Sequence, residues 1–245
     1  MKWSDKLKII ELLHDNDQPK VTNVDLWLKK NKNSSFQKIK AFSLDYPQFK
    51  DVDLIIIHGG SQHIWNKNED VWLTDEIEYV REALKNNICV IGFCLGAQII
   101  AEALGGKTYK SEEKEVGWLN IKFTTEGKKH RILKSLNDGF MTFLWHSDHY
   151  NLPQNCTVLG YTEAAKNQIF VSNMYKAIGF QFHPEYTKGN IKDYIDKYDD
   201  CVWSGGRFAL GKDNILKETE KIGSTYELFE KIFINSVQWF EEQKS

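Results

Sequence analysis

Ile88-Cys89-Val90-Ile91-Gly92-Phe93-Cys94-Leu95-Gly96-Ala97-Gln98 joins two kinds of pattern in one short stretch. Its first half, residues 88–93, is an apolar run of the kind found in strands covered on both faces. Its second half opens a helical pattern over residues 95–104, stopped by Gly105-Gly106. Between them, Gly92-Phe93-Cys94-Leu95-Gly96 has the G-x-nucleophile-x-G spacing of a sharp strand-to-helix turn. A residue at such an apex takes a strained backbone, and small neighbours keep the turn free of collisions. Its side chain is presented at the carboxyl end of a sheet, where doubly wound folds bind ligands. The partial positive charge at the start of the helix favours an anion there, and the Leu95 N–H is placed to face a developing oxyanion.

Similar runs lie upstream, at residues 7–13, 39–44 and 53–58. Leu54-Ile55-Ile56-Ile57, closed by Gly59-Gly60, is the strongest of them. Helical patterns over residues 21–32 and 73–86 separate the runs, the second with Thr74 as a cap candidate before Asp75 and Glu76. This βαβαβα order predicts an α/β fold: a doubly wound, mostly parallel sheet with flanking helices. Beyond Gly106 the pattern changes. Residues 116–124, 157–162 and 168–173 read as a small antiparallel addition laid against that sheet, and residues 177–182 as a return to a core strand. Helices follow near 190–198 and 225–243, with a turn-rich excursion around Gly205-Gly206 and residues 211–214. No repeat or linker divides the chain, so residues 1–245 read as one domain with a C-terminal helical extension from about 190.

Composition narrows the function. The apolar fraction is 41%, enough for a packed core, and the formal charge of −2 comes from acids and bases mixed along the chain. No basic stripe points to nucleic acid, and no stretch approaches the roughly 20 apolar residues of a membrane span. The charged start does not read as a signal peptide, and Cys89, Cys94, Cys156 and Cys201 form no CxxC pair. Reduced thiols in the cytoplasm are therefore expected.

A partner for Cys94 stands nearly ninety residues downstream. Gly179-Phe180-Gln181-Phe182-His183-Pro184-Glu185 ends an apolar strand. His183 and Glu185 are two apart, so an extended chain places both on one face. The histidine can take a thiol proton, and the carboxylate can fix its tautomer. A buried histidine beside a solvated glutamate is the plainer alternative.

Gly92-Phe93-Cys94-Leu95-Gly96-Ala97-Gln98 resembles the nucleophile turn of the class I, triad-type glutamine amidotransferases, whose fold is flavodoxin-like. Ala103-Leu104-Gly105-Gly106 and Glu115-Val116-Gly117-Trp118 resemble the stand-alone, GMP-synthase-like branch, and Phe182-His183-Pro184-Glu185 matches the family's F-H-P-E phrase. The resemblance runs from about Val52 to Glu185. It implies Cys94, His183 and Glu185 as catalytic residues and the N–H groups of Gly60 and Leu95 as oxyanion donors. The family's Gly-Gly turn is usually followed by proline; here Ser61 stands instead, which removes one constraint on the turn.

The resemblance also implies Gln98, Trp145, His146 and Asp148 as substrate-binding residues, the last three from Leu144-Trp145-His146-Ser147-Asp148, similar to the family's W-H-x-D segment. Read without it, His146, Asp148 and His149 suggest a metal cluster, but a third, separated ligand group is missing, and no metal or cofactor is expected. Glu115 and Trp118 read equally as pocket-edge or strand-surface residues. The activity implied is hydrolysis of the γ-carboxamide of glutamine, or of a γ-glutamyl compound, through a γ-glutamyl thioester. The roughly 60 residues after Glu185 are too few for a synthase module, so either a separate synthase receives the ammonia or the enzyme simply hydrolyses. A γ-glutamyl peptidase or hydrolase and a non-catalytic binding module on the same fold are the alternatives.

Overall fold

The computed structural model describes residues 7–32, 34–66 and 68–243. The expected domain, 1–245, thus includes a few residues outside the described ones. The first half runs β1 (Lys8–Leu13), α1 (Asn23–Lys30), β2 (Ser35–Lys40), β3 (Leu54–Ile57), α2 (Trp72–Lys85), β4 (Cys89–Phe93) and α3 (Leu95–Ala103). Then come β5 (Lys107–Phe123), α4 (Thr125–Lys129), β6 (Gly139–Asn151), β7 (Cys156–Tyr161), β8 (Ile169–Ser172) and β9 (Ala177–Phe180). The chain finishes with α5 (Lys188–Lys197), α6 (Asp200–Trp203), β10 (Phe208–Ala209), α7 (Lys212–Lys221) and α8 (Thr225–Glu242).

Among the described residues these strands form one sheet in the order β10-β5-β7-β8-β9-β4-β3-β1-β2, with β6 paired to β5. β2, β1, β3, β4 and β9 run parallel. β8, β7, β5 and β6 continue from β9 through antiparallel pairs. The antiparallel addition is thus an extension of the same sheet, not a layer against it.

Burial follows the sequence pattern. Every residue of β3 and β4 is buried, because helices cover both faces. On one face lie α2, through Leu73, Ile77, Val80 and Leu84, and α3. On the other lie α1, through Val24, Trp27 and Leu28, and α8, through Phe229, Ile232, Phe233 and Phe240. A third apolar cluster fastens α5, α6 and α7 to β5 and β6 through Ile191, Tyr194, Trp203 and Ile215. No helix among the described residues is long and apolar enough to cross a membrane.

Several boundaries differ from expectation. The second strand is residues 35–40, not 39–44. It is an edge strand that buries only Ile39, so its polar residues hid it, and Ala41–Ser43 forms a helical turn ending at Leu44 with φ 59°. Thr74 is not a cap, since α2 already begins at Trp72. β5 starts at Lys107 rather than 116, because its first residues are charged and mostly exposed. The excursion after residue 205 is more than turns: β10 pairs in parallel with β5, and α7 follows.

Candidate active site

β4 and β9 lie side by side with Phe93 opposite Phe180, so the segments that follow them meet. The Cys94 N–H donates to the Phe180 carbonyl at 2.8 Å. Cys94 itself has φ 50° and ψ −107°, the strained apex expected of the turn. A Cβ on Gly92 would lie 2.4 Å from the Gly96 backbone, and one on Gly96 would lie 2.2 Å from the Ile57 carbonyl oxygen. Both positions therefore demand glycine.

His183 is buried, and its Nδ1 lies 2.8 Å from Glu185 Oε1. That bond leaves Nε2 for another partner. The ring stacks on Tyr186 with centroids 4.3 Å apart. A Cβ on Gly59 would sit 2.7 Å from His183 Cε1 and 3.4 Å from Cys94 Cβ, so imidazole and thiol meet over this glycine. Burial disfavours charge on the ring, but the Glu185 carboxylate and the Cys94 sulfur outweigh it and push the His183 pKa up to about 10.

The Gly59-Gly60 turn is held from below. Gln18 Nε2 donates to the Gly59 carbonyl at 2.7 Å, and His14 Nδ1 approaches it at 3.3 Å. His14 Nε2 faces the Glu76 carboxylate at 3.1 Å, with both side chains fully buried. Acceptors at both ring nitrogens require a proton on each. Burial opposes that charge, yet Glu76 raises the His14 pKa. Ser61, standing where proline is usual in the family, ties the turn to Asp15: its N–H and hydroxyl donate to the carboxylate at 3.1 and 2.7 Å. The lost constraint is thus replaced by hydrogen bonds. Gly60 packs on Leu95, whose Cδ2 would lie 2.8 Å from a Cβ there.

A cavity of about 440 Å³ opens beside Cys94, within the usual range for small-molecule sites. It is lined by Gly60, Leu95, Gln98, Trp145, His146, Asp148 and His183, which gathers every expected site residue except Glu185, buried behind His183. Gln98 Nε2 donates to the Asp148 carbonyl and to Gln181 Oε1, each at 3.4 Å. Gln181 Nε2 in turn donates to the Cys94 sulfur at 3.6 Å. Asp148 Oδ2 meets His63 Nδ1 at 2.6 Å. Trp145 stacks on Trp203 at 4.7 Å, beside Tyr194 and Tyr198.

Gln181, His63, Tyr194 and Tyr198 are among the participants that escaped the sequence reading. Gln181 was findable, two residues before His183 on the same strand face. The others arrive by chain topology alone. Glu115 and Trp118 are at neither the pocket edge nor the strand surface. Glu115 is fully buried, and Trp118 packs on Phe143 while its indole N–H donates to Thr219 Oγ1 at 2.8 Å.

Comparison with known proteins identifies the family of the chain. The family model for glutamine amidotransferase class-I matches residues 20–197, well over half the chain. The glutamine amidotransferase-like protein YfeJ of Salmonella typhimurium is 31% identical over 164 residues, covering 66% of this chain and 68% of that protein. A glutamine-hydrolysing GMP synthase subunit from Sulfolobus acidocaldarius is 29% identical, over 56% of this chain and 70% of its own length. The glutamine-hydrolysing GMP synthase of Campylobacter hominis is 27% identical over 74% of this chain, which spans only 37% of that enzyme. The crystal structure of a glutamine amidotransferase from Thermotoga maritima superposes with a TM-score of 0.79 at 23% identity, covering 96% of this chain and 97% of that one, a likeness of fold. The chain belongs to the class I glutamine amidotransferase family.

Proposed function

We propose that this protein hydrolyses the γ-carboxamide of glutamine, with Cys94 as nucleophile, His183 as acid and base, and Glu185 orienting the imidazole. The observation that carries this reading is the meeting of the strained Cys94 with the buried His183–Glu185 pair at the edge of a cavity. The Cys94 sulfur gives its proton to His183 and attacks the γ-carbonyl carbon. The N–H groups of Gly60 and Leu95 face the oxyanion. Collapse of the tetrahedral adduct breaks the C–N bond, and His183 protonates the departing ammonia. The same imidazole then takes a proton from water, which cleaves the γ-glutamyl thioester and releases glutamate.

Gln98, Trp145, His146 and Asp148 line the donor pocket in this reading. The Sulfolobus acidocaldarius relative is itself a subunit of a glutamine-hydrolysing GMP synthase, which supports a separate ammonia-accepting synthase as partner. A second reading has one observation in its favour. Tyr194, Tyr198 and Val202 also line the cavity, a wall that could hold the leaving group of a larger γ-glutamyl conjugate. A donor panel separates the two. Ammonia and glutamate are measured with free glutamine and with γ-glutamyl peptides. Preference for glutamine supports the first reading and preference for the peptides the second; no turnover of either makes the chain a binding module.

A further inference from the structure

A buried cluster behind the pocket wall shares only His146 with the donor pocket; its other members, Glu115 and His149, have no part in the chemistry above. Glu115 on β5 stands opposite His146 on β6. A register shift between Lys110 and Glu115 interrupts the regular pairing nearby, and the His149 ring lies 5.3 Å from that of His146. All three side chains are more than nine-tenths buried. Each offers one ligand atom, and these atoms lie within 4.8 Å of one another.

Several of their polar atoms lack partners. Glu115 Oε1, both ring nitrogens of His146 and His149 Nε2 have no hydrogen-bond partner. His146 Nε2 comes within 3.1 Å of Glu115 Oε2 but is misaligned for a hydrogen bond. Buried polar atoms almost always find partners, and each orphan costs about 1–3 kcal/mol. Four orphans on three mutually facing side chains leave room for one shared partner.

We propose that Glu115, His146 and His149 bind a divalent first-row transition cation, with zinc the ion that best fits. Two imidazoles and one carboxylate are a zinc donor set. A second layer is present: Gln168 Nε2 donates to Glu115 Oε2 at 2.5 Å and to Thr162 Oγ1 at 3.2 Å, the arrangement that orients a ligating carboxylate. His146 also lines the cavity, which gives an ion a path from solvent. The separated ligand missing from a reading of residues 146–149 alone is Glu115, and Asp148 turns instead to His63. Such an ion would pin β5 to β6 where the pocket wall is built.

The test is equilibrium dialysis of the full chain, stripped with a chelator, against zinc, and visible spectroscopy with cobalt(II). The expected result is one zinc per chain, with affinity reduced roughly tenfold or more in His149→Ala and Glu115→Gln and unchanged in Cys94→Ala. Cobalt should give visible bands without a thiolate charge-transfer band. His149→Asn serves if the alanine variant melts early. Folded wild-type protein that takes up no stoichiometric zinc would overturn the proposal. So would binding that survives the His149 and Glu115 changes, or that is lost with Cys94. Binding is read without turnover, so this outcome is independent of the proposed hydrolysis.

Discussion

Gly59 and His183 are in contact so close that a single methyl group on the glycine would lie 2.7 Å from the imidazole Cε1. The position of the ring over Cys94 thus depends on the absence of a side chain on β3's exit turn. Gly59→Ala should displace His183 from the sulfur. Misplacement of about 1 Å at a reacting group costs roughly 100-fold in rate. Glutaminase kcat should fall by about that factor while the thermal midpoint moves little; an alanine variant of normal kcat would show that the ring tolerates displacement.

His183 titrates high, at about 10, and the sign of its effect on pH dependence follows. A ring whose folded pKa exceeds its ordinary 6.5 stabilises the fold fully below pH 6.5 and loses that contribution as pH rises through about 10. The proton needed by departing ammonia disappears over the same range, so kcat/KM should decline only at strongly alkaline pH. Glu185→Gln removes the carboxylate that favours the charged ring, and should move that decline to lower pH. Rate profiles and a nuclear magnetic resonance titration of the ring check both; an unmoved alkaline limb would count against the pairing.

Glu76 lies one residue removed from the Gly59-Gly60 turn, the proposed source of an oxyanion donor, and reaches it through His14 and the Gly59 carbonyl. It is a positioning residue. Glu76→Gln should leave His14 without its counter-charge, lower its raised pKa and loosen the turn. The expected outcome is a kcat loss of about tenfold or more with KM little changed, together with a lower thermal midpoint. A KM increase at constant kcat would assign Glu76 to substrate binding instead.

Asn23 fixes the His-Pro-Glu segment from α1. Its side-chain amide donates to the carbonyls of Pro184 and Tyr186 at 2.9 and 3.1 Å, and its N–H donates to the Glu185 carbonyl at 2.7 Å. Asn23→Ala leaves buried acceptors unpaired and should cost about 1–3 kcal/mol in denaturant unfolding. Activity should fall with it, since the carbonyls on either side of Glu185 lose their side-chain donor. A change confined to stability would show that the segment holds its shape without α1.

The Cys94 turn was legible because it is local: strand, glycines, nucleophile and helix all lie within eleven residues. The His183 segment was legible for the same reason. Asn23, His14 and Asp15 were not, because their partners lie 45 or more residues away and only the fold brings them together. Helix α7 was hidden by composition. Its sequence KDNILKETEK buries only Ile215 and Thr219, too few apolar residues to display a helical period. The pocket wall of Tyr194 and Tyr198 was hidden by distance, as it is brought to Trp145 by a helix that the sequence reads only as part of a C-terminal extension.

The central claim is that the Cys94 sulfur becomes acylated by the γ-carbonyl of a glutamine-type donor. Intact-protein and peptide mass spectrometry after treatment with a glutamine-like diazoketone tests it most directly. The account predicts one adduct per chain, located on Cys94, absent from Cys94→Ala and slowed in His183→Ala, with glutaminase activity lost in step. An adduct on another residue, or undiminished turnover in Cys94→Ala, would contradict it.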